Sequence, residues 1–269
     1  MTMLVDRYDA VLLDLDGVVY LGEEPVPGAV EAIARLRSAG VPVGYVTNNA
    51  SRGAGEVAAL LNKLGIAAVA AEVVTAAQAS ARLLAERFPP GTPVLVVGSD
   101  ALRAEVELAE LVPVREAGTA EAVVQGYGPQ VGWADLAEAS VAIRAGALWV
   151  ATNTDKTLPS PRGPLPGNGS LVAALATALG RQPDVVVGKP EPTLLWSAAK
   201  SRGAQRPLFV GDRLDTDILG AHRAGFDSLL VLTGVSTAAE AELAPAAERP
   251  TYVGGDLGAL FAAGTKEKV

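Results

Sequence analysis

The chain of 269 residues contains no cysteine and a single histidine, His222. The missing thiols exclude disulfides, zinc–thiolate sites and cysteine nucleophiles, and one histidine cannot build a multi-histidine metal site. No Gly-x-Ser-x-Gly motif is present to supply a nucleophilic serine. We expect His222 itself to be a surface residue near a helix end. Polar catalysis must therefore rest on carboxylates, lysine, hydroxyls or a hard metal cation.

Long apolar runs and an excess of positive charge are missing as well. Although 49% of the residues are hydrophobic, no uninterrupted apolar run reaches the roughly 20 residues of a membrane-spanning helix. The formal net charge is −8 and no basic stripe is present, which argues against a nucleic-acid partner. The acidic N-terminal segment has no signal-peptide pattern, so we expect a cytoplasmic protein without a membrane partner.

The order of apolar and amphipathic segments indicates an α/β protein. Short apolar stretches alternate with amphipathic helices that end at glycine, and this order is typical of a parallel sheet with helices on its faces. We therefore predict a Rossmann-like parallel sheet. Its strands are expected at residues 10–15, 41–46, 72–75, 185–187, 207–210 and 229–232.

A second set of alternating elements interrupts this sheet. It follows the turn-rich segment at residues 88–93 and has predicted strands at residues 94–97, 122–125 and 148–151, with a predicted helix at residues 100–108. The simplest account is a core domain made of residues 1–79 and 183–269, with an α/β domain inserted at residues 80–182.

A long loop is predicted at residues 153–169 of the inserted domain, before a helix that starts at Ser170. Loops of this length without regular structure are usually functional or disordered. Four prolines lie in it: Pro159, Pro161, Pro164 and Pro166.

The strand at residues 10–15 ends in two carboxylates, Asp14 and Asp16, and Gly17 follows them. Alternate side chains of a strand share a face, so both carboxylates can line one pocket. They repel each other unless a cation lies between them or one is protonated. An EF-hand calcium loop would need more oxygen ligands, whereas residues 18–21 are apolar. The pair is a candidate catalytic site if further polar residues join it.

Two other predicted strands end in residues suited to a phosphate. Thr47 and Asn48 follow the strand at residues 41–46, where a hydroxyl and backbone N–H groups could hold phosphate oxygens. Lys189 follows the strand at residues 185–187 and suits charge stabilisation of a phosphoryl group.

The strand at residues 207–210 is followed by more acids. Asp212 comes just after this strand, in the way that Asp14 ends the first one, and Asp215 and Asp217 lie near the next helix start. Acids in a first helical turn are often ordinary caps, so the choice between Asp215 and Asp217 stays open. Because open α/β sheets bind ligands at the carboxyl ends of their strands, we expect these residues to meet.

Together these residues resemble the haloacid dehalogenase-like (HAD) phosphohydrolase superfamily over nearly the whole chain. The motifs are Asp14-Leu15-Asp16-Gly17, Thr47, Lys189 and the segment from Gly211-Asp212 to Thr216-Asp217. The α/β insertion after the second motif resembles the NagD-type branch, whose members carry a large cap of the C2 type. Phrases of the insertion at 122–126, 145–151 and 165–170 are most similar to actinobacterial glycerol-3-phosphate phosphatases. Val18 departs from the family, since many members have threonine there.

The resemblance implies a division of labour among the acids. Asp14 would be the nucleophile that forms an aspartyl-phosphate, and Asp16 would protonate the leaving group and then activate water. Mg²⁺ would be bound by Asp14, the main-chain carbonyl of Asp16 and Asp212, while Asp217 would order its water shell.

Further roles follow from the same resemblance. The phosphoryl oxygens would be held by Thr47, Asn48 and Lys189. The cap would select the substrate and join two chains in a homodimer. Its candidate specificity residues are Asn153, Asp155 and Asn168.

The implied activity is Mg²⁺-dependent hydrolysis of a small phosphomonoester, with glycerol 3-phosphate favoured. Phosphoglycolate, pyridoxal phosphate and nucleoside monophosphates are the alternative substrates. Two other activities of the superfamily fit the sequence less well. A phosphomutase would usually carry a small helical cap, and a dehalogenase would lack the second acid. A binding protein that kept the fold without activity is the alternative outside the enzymes.

Overall fold

The structure is a computed structural model that describes residues 2–158 and 162–262. Strands and helices alternate through both ranges, which confirms the predicted α/β class. Fifteen strands lie in the described residues: β1 Ala10–Asp14, β2 Tyr20–Leu21, β3 Glu24–Pro25, β4 Val43–Thr47, β5 Val73–Thr75, β6 Pro93–Val97, β7 Val112–Val114, β8 Ala122–Gln125, β9 Leu148–Ala151, β10 Thr157–Leu158, β11 Leu165–Pro166, β12 Val185–Val186, β13 Pro207–Gly211, β14 Asp227–Val231 and β15 Tyr252–Gly254.

Helices connect most of these strands. Nine α-helices lie in the described ranges: α1 Ala29–Ser38, α2 Ala54–Lys63, α3 Ala76–Ala85, α4 Asp100–Leu108, α5 Trp133–Arg144, α6 Asn168–Leu179, α7 Thr193–Arg202, α8 Leu219–Ala224 and α9 Ala238–Leu243. A π-helical turn, Leu214–Ile218, precedes α8. His222 is exposed on α8, as predicted. No helix of the described residues is both long and apolar enough to cross a membrane.

The described residues divide into two compact units. Those of 1–47, 54–74 and 189–269 form one unit, here called the core domain. Those of 48–53 and 75–188 form the other, here called the inserted domain. The boundaries drawn from the sequence, at residues 80 and 182, remain a prediction.

The core domain contains a six-stranded sheet in the order β15-β14-β13-β1-β4-β5. Asp14 of β1 pairs in parallel with Val46 of β4, and Leu13 pairs with Val210 of β13. The carboxyl ends of these three strands are therefore level, and the residues that follow them can meet at one edge. All five residues of β1 are buried, as expected for a strand covered on both faces.

The inserted domain contains a five-stranded parallel sheet in the order β12-β9-β8-β6-β7. Leu95 and Val97 of β6 share an apolar cluster with Ile143 of α5 and Leu175 of α6. Trp149 of β9 lies in the same cluster and is fully buried. This packing makes the insertion a domain with its own apolar core.

The prediction for the strand after Asp184 was wrong. We expected residues 185–187 to return to the core sheet, but β12 pairs with β9, with Val185 opposite Val150 and Val186 opposite Ala151. A two-residue apolar strand carries no information about its partner, so only the tertiary structure could assign it to the inserted sheet.

The segment at residues 153–169 is more regular than predicted. Strands β10 and β11 form a small antiparallel hairpin, with Thr157 opposite Pro166. Helix α6 begins at Asn168 instead of Ser170. Pro159 and Pro161 lie outside the described residues.

Candidate active site

A buried lysine joins two carboxylates at the carboxyl edge of the core sheet. Lys189 Nζ donates to Asp14 Oδ1 at 2.5 Å and to Asp217 Oδ1 at 2.7 Å. All three side chains are buried. Burial by itself would lower the pKa of Lys189, but the two carboxylates outweigh it and raise the pKa above its ordinary value. Lys189 is therefore a fixed positive charge beside Asp14.

The π-helical turn after β13 directs Asp217 back to the strand end. Asp217 Oδ2 accepts the backbone N–H groups of Asp212 and Arg213, both at 3.1 Å. Its other oxygen accepts from Lys189. Both carboxylate oxygens of Asp217 are thus occupied. Its hydrogen bonds fix the position of Lys189 relative to the end of β13. Such π-helical turns are often found at functional sites.

Asp212 keeps one oxygen available. Its Oδ2 accepts the backbone N–H of Val235 at 2.8 Å. Its Oδ1 is buried and has no hydrogen-bond partner among the described residues. A buried acceptor without a partner is costly, so this oxygen is suited to a ligand.

The carboxylates of Asp14, Asp212 and Asp217, here called the carboxylate cluster, fit a hard divalent cation. One oxygen from each lies within 4.8 Å of the others. Burial and the two neighbouring acids raise the pKa of Asp14, although Lys189 opposes them. Burial, followed by the charge of Asp217, raises the pKa of Asp212 to about 7. One lysine does not offset three carboxylates, and an oxygen-binding cation would complete the charge balance.

Glycines let the chain approach Asp212 closely. At Gly17, where φ is +83°, an added Cβ would lie 2.6 Å from Asp212 Cγ. At Gly234 an added Cβ would also collide with the Asp212 carboxylate. The sequence did not lead us to expect that residues 233–235 would pass close to the Asp212 carboxylate. The glycine that follows β14 was the available signal for it.

Asp16 lies beyond the strand on which we had placed it. Strand β1 ends at Asp14, and Asp16 is an exposed residue in the turn that follows. The alternation of side chains along a strand therefore does not place Asp14 and Asp16 on one face. The turn nevertheless leaves the Asp16 side chain accessible. Thr47 is buried at the end of β4, one residue past the partner of Asp14.

The structure separates Asp215 from Asp217. Asp215 is exposed and accepts from Arg213 Nη2 at 2.9 Å and from Arg213 Nε at 3.0 Å. This hydrogen-bonded arginine lowers the pKa of Asp215. Asp217, not Asp215, belongs to the carboxylate cluster.

The remaining candidates lie together in the inserted domain. Asn48 Nδ2 donates to both carboxylate oxygens of Asp155, at 3.3 and 3.2 Å. Asn153 and Asn168 are buried, and their amides donate to backbone carbonyls. Gln125, which the sequence reasoning missed, is buried beside them. Its signal was a polar residue at the end of an otherwise apolar strand.

Comparison with known proteins assigns the family. A haloacid dehalogenase-like hydrolase model matches residues 11–111, and a HAD-hydrolase-like model matches residues 186–260. D-glycerol 3-phosphate phosphatase of Mycobacterium tuberculosis is 52% identical over 97% of this chain and 73% of that protein. An acid sugar phosphatase of Staphylococcus saprophyticus is 38% identical over 93% of this chain and 96% of that protein.

The solved structures that resemble this chain include phosphatases as well. The crystal structure of glycerol phosphate phosphatase from M. tuberculosis in complex with magnesium has a TM-score of 0.93 at 52% identity, covering 97% of this chain and 79% of that one. The 4-nitrophenylphosphatase of Thermotoga maritima has a TM-score of 0.88 at 31% identity, covering 96% and 98%. The chain belongs to the haloacid dehalogenase-like hydrolases. Within that family it is a phosphatase, and the predicted HAD fold with an α/β insertion is confirmed.

Proposed function

We propose that this chain hydrolyses glycerol 3-phosphate in a Mg²⁺-dependent reaction. The observation that carries the proposal is the 52% identity with a D-glycerol 3-phosphate phosphatase along 97% of this chain. The arrangement of Asp14, Lys189, Asp212 and Asp217 supports it, because a buried carboxylate lies beside a fixed positive charge and belongs to a cluster of acids that fits a divalent cation.

Asp14 is the proposed nucleophile. Its carboxylate attacks phosphorus, the bond from phosphorus to the glycerol oxygen breaks, and Asp16 donates a proton to that oxygen. Asp16 then takes a proton from water, whose oxygen attacks the aspartyl-phosphate. This second step releases inorganic phosphate and restores Asp14. Lys189 favours the ionised form of Asp14 on which the attack depends.

The residues proposed to hold Mg²⁺ are Asp14, the main-chain carbonyl of Asp16, and Asp212. The free Oδ1 of Asp212 supports its role as a ligand. Asp217 is already occupied by Lys189 and two backbone N–H groups, which suits an ordering role. When bound, the ion supplies positive charge that stabilises the phosphoryl oxygens. Thr47, Asn48 and Lys189 are the proposed phosphate-binding residues.

The substrate assignment is tested by initial rates with Mg²⁺ on a panel of phosphomonoesters. The panel contains glycerol 3-phosphate, phosphoglycolate, pyridoxal phosphate, UMP, ribose 5-phosphate and p-nitrophenyl phosphate. We expect kcat/KM for glycerol 3-phosphate to exceed the others by at least tenfold, about 1.4 kcal/mol of transition-state binding. A preference for the sugar phosphate would favour the acid sugar phosphatases as functional models. Inactivity on the whole panel would favour a binding protein.

Metal binding should be visible without turnover. Mg²⁺ at about 100 times its dissociation constant stabilises a folded protein by about 2.7 kcal/mol, which corresponds to a Tm rise on the order of 5 °C for a chain of this size. We expect this rise in differential scanning calorimetry after EDTA treatment and Mg²⁺ addition. Asp212→Asn should lose most of it, whereas Asp215→Asn should keep it. An equal rise in Asp212→Asn would contradict the assigned ligand.

We also propose that the protein is a cytoplasmic homodimer formed through its inserted domain. The resemblance to NagD-type proteins supports this proposal. Light scattering on the purified protein tests the oligomeric state, since a dimer has twice the mass of the 27.4 kDa chain.

A further inference from the structure

The segment that follows β14 lies close to the carboxylate cluster of the core domain. In the core sheet, β13 lies between β14 and β1. Residues 233–236, here called the β14 loop, nevertheless make hydrogen bonds to the residues that follow both β13 and β1. The β14 loop therefore connects the carboxyl ends of three strands and can fix the groups they carry relative to one another.

The β14 loop holds Asp212 through its backbone and through its side chain. Ser236 N–H donates to the Asp212 carbonyl at 3.0 Å, and Val235 N–H donates to Asp212 Oδ2 at 2.8 Å. The hydroxyl of Ser236 accepts the backbone N–H of Leu214 at 3.1 Å, at the start of the π-helical turn. These hydrogen bonds attach the β14 loop firmly to the residues that follow β13.

At its other end the β14 loop contacts the turn that follows β1. The hydroxyl of Thr233 donates to the carbonyl oxygen of Gly17 at 2.6 Å. Thr233 is half-buried and Gly17 is buried. A buried carbonyl without a donor is unfavourable, so the hydroxyl favours the observed position of this turn.

The turn at residues 15–20 carries Asp16, the proposed acid and base. The N–H groups of Val19 and Tyr20 donate to the Leu15 carbonyl at 2.9 and 3.1 Å. The N–H of Gly17 donates to the Tyr20 carbonyl at 2.8 Å. These bonds determine the internal shape of the turn. Its position relative to the neighbouring strand ends depends on contacts from outside the turn.

Gly17 makes the turn sensitive to such a contact. It follows Asp16 directly, its φ is +83°, and an added Cβ would lie 2.6 Å from Asp212 Cγ. Glycine has no side chain to anchor it by packing, and its backbone is freer than that of other residues. The hydrogen bond from Thr233 therefore supplies a restraint that a packed side chain would give elsewhere.

We propose that Thr233 is a positioning residue that holds the Asp16 turn beside Asp212, so that Asp16 can protonate the leaving oxygen. This inference rests on the proposed function, because it deepens the role assigned there to Asp16. In that step the proton of the Asp16 carboxyl group passes to the oxygen that leaves phosphorus. Donor and acceptor must lie within hydrogen-bond reach, so a small displacement of the turn slows the transfer.

The test compares two aryl esters whose leaving groups differ in basicity. Phenolate is more basic than p-nitrophenolate, so phenyl phosphate depends more on a general acid than p-nitrophenyl phosphate does. The measured quantity is kcat/KM for phenyl phosphate divided by kcat/KM for p-nitrophenyl phosphate, here called the leaving-group ratio. Because kcat/KM ends with the first irreversible step, hydrolysis of the aspartyl-phosphate does not enter this ratio.

Thr233→Val removes the hydroxyl and is expected to lower the leaving-group ratio by about tenfold, because the acid is displaced but still present. Its kcat/KM for p-nitrophenyl phosphate should fall by less than about threefold. Thr233→Ser keeps the hydroxyl donor and should keep the ratio within about twofold of the wild-type value. Asp16→Asn is the reference variant and should lower the ratio by more than about tenfold.

A matched control is Thr92, whose hydroxyl donates to the Pro89 carbonyl at 2.8 Å within the inserted domain. Thr92→Val should leave the leaving-group ratio within about twofold of the wild-type value. Thr233→Ala removes the same hydroxyl as Thr233→Val with less crowding, and it takes the place of that variant if circular dichroism shows a loss of fold. Unfolding of both variants would indicate a structural role and overturn the inference.

Two further outcomes would overturn the inference alone. One is an equal loss on both esters in Thr233→Val. The other is a leaving-group ratio in Thr233→Ser as low as in Thr233→Val. An unchanged ratio in Asp16→Asn has a different meaning, since Asp16 is then not the acid and the proposed function fails together with the inference. The comparison of aryl esters is valid whichever phosphomonoester the wild type prefers.

Discussion

Replacement of Asp14 by asparagine is expected to lower kcat for glycerol 3-phosphate by at least about 10⁴-fold, as loss of a nucleophile does in other enzymes. The amide has nearly the same shape but cannot attack phosphorus. Asp14 is held by Lys189 at 2.5 Å, and its strand is buried along its whole length, so the backbone should stay in place. Steady-state release of inorganic phosphate measures the loss, and circular dichroism checks the fold.

The matched control for this change is Asp215→Asn. It makes the same chemical replacement at an exposed acid that pairs with Arg213 outside the carboxylate cluster. Its kcat should stay within twofold of the wild-type value. Substantial turnover by Asp14→Asn would remove Asp14 from its proposed role and with it the aspartyl-phosphate route.

Lys189→Met is expected to reduce both stability and activity. The change leaves Asp14 and Asp217 buried without the lysine ammonium group that they share. Breaking a buried ion pair lowers the free energy of unfolding by about 3–5 kcal/mol. Urea unfolding in EDTA should show this loss in the free energy of unfolding. Activity with Mg²⁺ should fall by about 10²–10³-fold, as loss of one preorganised electrostatic contact does elsewhere.

Lys200→Met is the control, because Lys200 is exposed in the last turn of α7. It should change the free energy of unfolding by less than about 0.5 kcal/mol. The expected role of Lys189 would be contradicted if the two variants unfolded at the same urea concentration. Retained activity in Lys189→Met would separate the structural role of this lysine from any part in phosphoryl transfer.

The sequence was informative where local pattern determines structure. Strand β1 was predicted one residue too long, and strands β8 and β9 were predicted with the observed bounds. Helix α4 was also predicted with its observed bounds. These segments have clear apolar periodicity and strong end signals, such as Ser99 as the cap of α4.

Some elements escaped prediction for physical reasons. Strand β7 contains Pro113, which is unfavourable within a sheet and is accommodated here because β7 is an edge strand. Strand β15 has three residues, too few to show alternation. For these elements, position in the sheet mattered more than local propensity.

The candidate site was likewise predictable where local pattern determines it, and not where tertiary structure does. The acids and the lysine could be found from the sequence because each follows a predicted strand, and carboxyl ends of parallel strands bind ligands. The sequence could not tell Asp215 from Asp217, since both are acids in one helical turn. Their different roles depend on the π-helical turn that points Asp217 at Lys189.

By itself, the absence of cysteine and the near absence of histidine determined that catalysis rests on oxygen and lysine chemistry. The local sequence also determined the strand end that carries Asp14. Only the tertiary structure decided that Lys189 bonds to Asp14, 175 residues away in the chain, and that β12 joins the inserted sheet. It also decided that Asn153 and Asn168 are buried while Asp155 is accessible. Such contacts depend on packing between distant segments, which local pattern does not encode.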